Sequence, residues 1–93
     1  MRWFSKLFGK KSSPVTEIRD GRSGKLRYQG EGKHAEVYYE LSGVPEYELL
    51  VWTENLKAWS DGSPITPDEK QAIVAAFQAW AKQQGIRCQW GSA

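Results

Sequence analysis

Few residues in this sequence have side chains suited to covalent chemistry: one histidine, His34, one cysteine, Cys88, and a scatter of carboxylates. If the chain forms an antiparallel hairpin around residues 42–46, His34 faces Glu54, and this pair resembles a general base and the carboxylate that orients it. The pattern places no serine nucleophile beside the pair. A cross-strand contact at the surface is therefore the simpler interpretation of these two residues.

Other catalytic patterns are equally sparse. Glu40 would face Glu48 in the same hairpin, as glycosidase carboxylates do, but a contact between like charges on a solvated sheet is the simpler interpretation. Cys88 alternates with Ile86 and Trp90, which favours an inert core thiol. The sequence has no Cys-x-x-Cys, no His-x-x-x-His and no glycine-rich phosphate loop after a strand. We therefore predict a protein that is not an enzyme and uses no metal or cofactor.

The hairpin that carries these residues, His34 to Glu54, divides into two faces because side chains alternate across a strand. One face is apolar and is expected to join the core; it consists of Ala35, Val37, Tyr39, Leu41, Tyr47, Leu49, Val51 and Thr53. The other, which we name the acidic-aromatic face, consists of His34, Glu36, Tyr38, Glu40, Glu48, Leu50, Trp52 and Glu54.

Two earlier segments alternate in the same way. Val15 to Arg19 and Lys25 to Gln29 flank a loop of turn-forming residues and are predicted to be strands. Pairing their adjoining ends places Ile18 opposite Leu26 on the apolar side and leaves Glu17 on the other side. The first two strands then show Glu17, Arg19, Lys25 and Arg27 beside the acidic-aromatic face.

Two more turns complete the pattern. Gly30 is expected to pair with Lys33, and Leu41 with Tyr47. All three registers place the apolar side chains on one common side, and a slip of one residue would turn a whole strand over. Together the segments predict a four-stranded antiparallel meander.

A helix signal follows the strands. Thr66 is expected to cap the helix, Pro67 begins it without an orphaned amide, and Glu69 completes a capping box. Gly85 is expected to end it. The residues spaced for one buried face are Ile73, Val74, Phe77, Trp80 and Ala81.

The remaining segments complete the predicted architecture. Leu56 to Trp59 is expected to extend the fourth strand before a turn at Ser60 to Ser63, and Ile86 to Trp90 to form a last strand. The predicted fold class is α+β, in the order ββββ-α-β: a four-stranded antiparallel meander, one C-terminal helix packed on one face and a final short strand. The other face of the sheet would be open to solvent. We assign these elements to a single domain over residues 14–91.

Residues 1–13 are interpreted as an amphipathic N-terminal segment and linker. The apolar side chains that share one helical arc are Trp3, Phe4, Leu7 and Phe8. The segment would either lie in a membrane interface, with its lysines toward anionic lipid, or dock on the domain or fray. No apolar run approaches the ~20 residues that span a bilayer, and no signal peptide is evident. We expect a cytoplasmic protein, peripheral to the inner membrane face if the segment is an anchor.

Charge is unevenly distributed along the chain. Residues 1–27 carry eight basic and two acidic side chains, whereas residues 28–93 carry five basic and nine acidic ones. An acidic surface with large aromatics suits a basic protein partner, because Trp and Tyr anchor interfaces and charges orient them. The predicted contact residues are Glu36, Tyr38, Glu40, Glu48, Leu50, Trp52 and Glu54.

Two other interpretations of this surface are considered, and a further one concerns the edge of the sheet. The aromatics would also serve simply as strand residues with cross-strand partners. Nucleic acid is disfavoured because the aromatics lie beside carboxylates rather than cations. An exposed edge strand would allow two copies to pair.

The stretch between Glu36 and Trp90 contains Tyr-Tyr-Glu-Leu-Ser-Gly, Leu-Val-Trp-Thr, the helix start Gly-Ser-Pro-Ile-Thr-Pro-Asp-Glu-Lys and a closing Gly-Ile strand. In pattern and size it resembles small immunity proteins of bacterial polymorphic toxin systems. The resemblance implies a non-catalytic binder that blocks a toxin, often one acting on nucleic acids through a basic active site. The predicted function is therefore a protein-binding module of the immunity or inhibitor type. The alternative is a peripheral membrane adaptor attached through the N-terminal segment.

Overall fold

The computed structural model describes residues 14–91, which form one mixed sheet and one long helix. The elements are β1 (Val15–Asp20), β2 (Ser23–Gln29), β3 (His34–Leu41), β4 (Leu49–Val51), a 3-10 turn (Thr53–Asn55), α1 (Pro67–Gln84) and β5 (Cys88–Trp90). The strands lie in the order β1-β2-β3-β4-β5. The first four are antiparallel neighbours, and β5 pairs parallel to β4 at the edge. The predicted α+β class and ββββ-α-β order are confirmed.

The helix covers one face of the sheet, and the core lies between them. The largest fully buried side chains of the core are Leu26, Val37, Tyr39, Leu49, Val51, Ile73 and Phe77. The predicted helical stripe is buried, apart from Val74, which is half-buried at its margin. This packing leaves the opposite face of the sheet turned away from α1.

The ends of α1 follow the predicted signals. The Glu69 amide donates to Thr66 Oγ1 at 3.1 Å, and the Thr66 amide donates to Glu69 Oε1 at 2.9 Å, which is the reciprocal capping box. Gly85 has a φ of 72°, and its amide donates to the Lys82 carbonyl at 3.2 Å. Because glycine adopts this left-handed conformation without a steric penalty, Gly85 ends the helix.

The register between β2 and β3 is the one predicted. Leu26 lies opposite Val37, and Arg27 lies opposite Glu36. The Gly30 amide donates to the Lys33 carbonyl at 2.8 Å and closes the turn. These two strands therefore pair as the sequence predicts.

The predicted register between β1 and β2 is wrong by one residue. Leu26 lies opposite Glu17, and Ile18 lies opposite Lys25. The loop is tighter than expected, because Asp20 pairs with Ser23 and Gly21 adopts a φ of 67° in the turn. As a result, Ile18 points away from the core, and the predicted placement of Glu17 and Arg19 on the open side is wrong.

A polar contact on the inner side of β1 accompanies this register. The buried Tyr39 hydroxyl donates to a Glu17 carboxylate oxygen, and the Arg19 guanidinium lies 5.9 Å from the centre of the Tyr39 ring. Burial, and then the bond to Glu17, raise the pKa of Tyr39 to about 12. Gly24 lies opposite Tyr39 and has no side chain to obstruct the ring. The shifted register thus satisfies a tyrosine hydroxyl that would otherwise be buried without a partner.

The predicted register between β3 and β4 is wrong by two residues, which preserves the faces but changes the pairs. Leu41 lies opposite Leu49 rather than Tyr47. The connection closes where the Ser42 amide donates to the Glu48 carbonyl at 2.8 Å. Glu40 consequently lies opposite Leu50, and the predicted Glu40–Glu48 pair does not form.

The segment after β4 does not extend the strand as predicted. The chain turns at Thr53–Asn55, buries Leu56 and Trp59, and forms an isolated bridge between Ala58 and Pro64. The Trp59 indole N–H donates to Glu69 Oε1 at 3.2 Å, which attaches this segment to the start of α1.

No helix within residues 14–91 is long and apolar enough to cross a bilayer.

Candidate binding surface

The sheet face opposite α1 carries a mixture of apolar and charged side chains, and we name it the open face. By strand alternation its members are Thr16, Ile18, Asp20, Ser23, Lys25, Arg27, Gln29, His34, Glu36, Tyr38, Glu40, Leu50 and Gln89. The 3-10 turn flanks this face, since Asn55 and Tyr38 line the same shallow hollow of about 220 Å³.

Apolar side chains cross the middle of the open face. Ile18, Lys25 and Tyr38 are neighbours on three adjacent strands, and Ile18 and Tyr38 are 41% and 48% exposed. Half-buried Leu50 lies on β4, while the amide of half-buried Trp52 donates to the Tyr38 carbonyl at 2.9 Å. Tyr38 therefore lies in a row of apolar side chains that reaches from the first strand to the fourth and is interrupted by Lys25 on the second; we name this row the apolar strip.

The carboxylate of Glu36 is neutralised within the open face. Arg27 donates to Glu36 Oε2 from Nε at 2.8 Å and from Nη2 at 2.6 Å, and Lys25 Nζ lies 3.6 Å from Oε1. The bond from Arg27 is the main cause that holds the pKa of Glu36 below its ordinary value, against the opposing effect of burial. His34 Nε2 lies 3.9 Å from the same carboxylate. Glu36 is thus part of a charged group that is already paired.

This pairing predicts a pH effect on stability that the variant Glu36→Gln should lack. Because folding lowers the pKa of Glu36, its stabilisation is complete above the unfolded value of about 4.3 and is lost as the pH falls through the folded value. We expect Glu36→Gln to be less stable than the wild type at neutral pH, with a difference that shrinks toward pH 3. Urea unfolding at a series of pH values measures both effects.

The control for this prediction is Glu31→Gln, at an exposed carboxylate in the turn between β2 and β3. Glu31 forms no ion pair within residues 14–91, so Glu31→Gln should not lower stability at neutral pH as Glu36→Gln does, while Asp61 and Glu69 contribute to the pH dependence of all three proteins through their lowered pKa values. A constant difference between Glu36→Gln and wild type at every pH would contradict the role assigned to the Arg27 bond.

Two other carboxylates of the open face have no such compensation. Asp20 and Glu40 flank Ser23 on three adjacent strands, at the end of the sheet where the chain turns from β1 into β2 and leaves β3. Neither forms an ion pair with any residue of the range 14–91. A hollow of about 350 Å³ extends from this end along the open face, and its lining residues are Ile18, Asp20, Ser23, Gly24, Lys25, Arg27, Glu36 and Tyr38.

The remaining predicted contact residues lie elsewhere. Glu48 Oε1 accepts the Arg87 amide at 3.0 Å, at the junction of β4 and β5. Glu54 belongs to the 3-10 turn and lies close to Gly91, beyond the end of β5. The predicted His34–Glu54 pair is wrong, because the His34 backbone instead exchanges hydrogen bonds with Ser60 at 2.8 and 3.0 Å.

Sequence reasoning missed Ile18, Asp20 and Ser23 as members of this surface. The signal that could have placed them is Gly21, because glycine at the first of two central positions favours a tight two-residue hairpin turn, here Gly21-Arg22, over the longer loop assumed from composition. With that turn, alternation alone moves Ile18 to the open side.

The cysteine, Cys88, does not lie on the open face. Half-buried Cys88 lies on the inner side of β5, where burial, followed by the charges of Glu48 and Glu17, raises the pKa of its thiol to about 11. Within residues 14–91 no three side chains of the types His, Cys, Asp and Glu are grouped to hold a metal ion. The membrane-contact residues predicted at Trp3, Phe4, Leu7 and Phe8 lie outside the described residues.

Comparison of the chain with protein-family models, with curated proteins and with solved structures found no match. The function is therefore argued from the residues and geometry of the open face.

Proposed function

We propose that this protein is a non-catalytic protein-binding module that engages its partner through the open face, in the manner of an immunity or inhibitor protein. The observation that carries the proposal is the exposure of Ile18 and Tyr38, on either side of Lys25, on a sheet face whose reverse is packed against α1. Large exposed apolar side chains that lie together on a small domain commonly mark an interaction surface.

The composition of the strip supports a protein partner. Tyr38 and Trp52 are of the residue types most often found as interface anchors, since they bury large areas with few rotatable bonds. The charged side chains around them, Lys25, Arg27, Glu36 and Glu40, provide the polar rim that orients a partner. A rigid sheet presents these groups without the ordering cost of a loop.

A photocrosslinking amino acid at position 38 tests the proposal directly in the source cell. A direct partner should crosslink from position 38 and not from position 71, which is exposed on the outer side of α1. The partner captured in this way is then purified and its affinity measured by calorimetry. We expect Tyr38→Ala to weaken binding by about tenfold or more, as loss of an interface anchor does.

The matched control is Gln71→Ala, which removes an exposed side chain of the helix and should leave the affinity unchanged. Circular dichroism establishes that both variants keep the fold. Crosslinks from position 71 alone, or equal affinities of wild type and Tyr38→Ala, would contradict the proposed surface.

A further inference from the structure

The charges of the open face are arranged along the strands, from one end to the other. At one end, Arg27 and Lys25 both contact Glu36, so that two cations share one carboxylate. At the end where β1 turns into β2, Asp20 and Glu40 have no ion-pair partner within residues 14–91. The open face therefore carries two cations around one carboxylate at one end and two carboxylates at the other, where Arg22 lies in the adjoining turn.

The negative end has room for a side chain from a partner. Ser23 separates Asp20 from Glu40, and neighbouring strands lie ~4.8 Å apart, so their Cα atoms are roughly 10 Å apart. The hollow of about 350 Å³ begins at Asp20 and Ser23 and continues past Ile18 and Tyr38 to Lys25, Arg27 and Glu36, while Glu40 lies opposite Ser23 without lining it. A cation above Ser23 would reach both carboxylates and lie beside the Tyr38 ring.

Lys25 does not fill this space with its own charge. It lies between Ile18 and Tyr38 on the same face, but its Nζ lies 3.6 Å from Glu36 Oε1. That contact holds the ammonium group near Glu36, whose other carboxylate oxygen accepts hydrogen bonds from Arg27. Within residues 14–91, Asp20 and Glu40 are thus left without an ion-pair partner, and an external cation would supply one.

We infer that the partner presents a basic segment whose Lys or Arg side chain binds between Asp20 and Glu40 while a neighbouring apolar side chain packs on Ile18 and Tyr38. This inference rests on the proposed function and specifies the chemistry of the partner. The opposite polarity of the two ends of the open face fixes the direction in which such a segment lies, because the reverse direction would place its cation against Arg27.

A random dodecapeptide library displayed on phage provides a defined probe for this chemistry. The library is selected on the immobilised full chain, and the enriched peptides are tested for binding to wild type and to Asp20→Lys, Glu40→Lys and Asp68→Lys. We expect enriched peptides to combine Lys or Arg with a large apolar residue. Each charge reversal on the open face should weaken them by roughly tenfold.

The control Asp68→Lys makes the same charge change at an exposed position in the first turn of α1 and should alter binding by less than about twofold. Should a reversal disturb folding, Asp20→Asn and Glu40→Gln remove the charges with little change in shape. Binding should also weaken as salt is raised, because screening acts on exposed charges.

Amide chemical shifts of the labelled protein separate the outcomes. Basic peptides that perturb Asp20, Ser23, Tyr38 and Glu40 support the inference. Enriched peptides without basic residues that still perturb Ile18 and Tyr38 would overturn the inference and leave the proposed function standing. Peptides that perturb only α1, or no enrichment over an uncoated surface, would overturn both.

Discussion

Replacing Gly24 by alanine is expected to destabilise the protein by about 1–3 kcal/mol, the range seen when atoms are forced into a filled core. A β-carbon at this position would lie 2.5 Å from the Ile18 carbonyl oxygen and 2.7 Å from both Cζ and Oη of Tyr39. The carbonyl belongs to the backbone of a paired strand, and the tyrosine ring is fully buried. Neither can move without breaking the bond from Tyr39 to Glu17 or the pairing of β1 with β2. Urea unfolding of Gly24→Ala measures the loss.

A second glycine provides a matched control. Gly43, in the connection between β3 and β4, has no atom within 4 Å of the position that a β-carbon would take. Gly43→Ala should therefore leave stability unchanged or raise it slightly, since alanine restricts the unfolded chain. Equal stabilities for the Gly24→Ala and Gly43→Ala variants would show that Tyr39 does not lie across Gly24.

The variant Phe77→Ala should have the largest effect on stability. Phe77 is fully buried in the middle of α1, and truncation of a buried phenylalanine costs about 3–5 kcal/mol through lost burial and the cavity that remains. A domain of this size has a free energy of unfolding of roughly 5–10 kcal/mol. We expect Phe77→Ala to unfold at a much lower denaturant concentration, or to be unfolded at 37 °C.

The neighbouring residue tests whether this loss comes from packing on the sheet. Gln78 is exposed on the same helix, and Gln78→Ala changes helix propensity by only a few tenths of a kcal/mol. Its unfolding midpoint should stay within about 0.5 kcal/mol of wild type. If both variants lost similar stability, the face of α1 that packs on the sheet would have been assigned wrongly.

The elements of this fold could be predicted from the sequence because each one carries a local signal. The start of α1 is indicated by Thr66, Pro67 and Glu69, and its end by Gly85. These signals act through hydrogen bonds and backbone conformations that depend on nearby residues alone. The pairing of β2 with β3 is equally local, because Gly32 supplies the positive φ of 72° that a tight turn requires. The order and type of the elements follow from such signals.

The other registers depend on contacts between residues distant in sequence, and this is why they were predicted wrongly. An exposed Ile18 and an inward Glu17 look unfavourable from alternation alone. They become favourable once the buried Tyr39 hydroxyl requires a partner on β1 and Gly24 leaves space for the ring. The register between β3 and β4 also involves a distant contact. Glu48, beside β4, accepts a hydrogen bond from the Arg87 amide beside β5, and β5 follows the helix in the sequence.

The candidate surface was predicted in part. Tyr38 and Leu50 lie on the open face as expected, because a shift of two residues in β4 preserves its alternation. Ile18 and Asp20 were missed because a shift of one residue in β1 reverses it. Glu36 also lies on the open face, and the correctly predicted pairing of Arg27 with Glu36 makes it a member of an ion pair there.

The proposed surface depends most directly on Ile18 lying on the open face, and the register of β1 against β2 decides this. The Gln29 amide donates to the Pro14 carbonyl at 2.9 Å, so alternation makes Glu17 and Leu26 a closely spaced pair without direct hydrogen bonds. A nuclear Overhauser spectrum of the full chain should show contact between the Hα atoms of Glu17 and Leu26. Contact between the Hα atoms of Ile18 and Leu26 instead would return Ile18 to the core and contradict the surface.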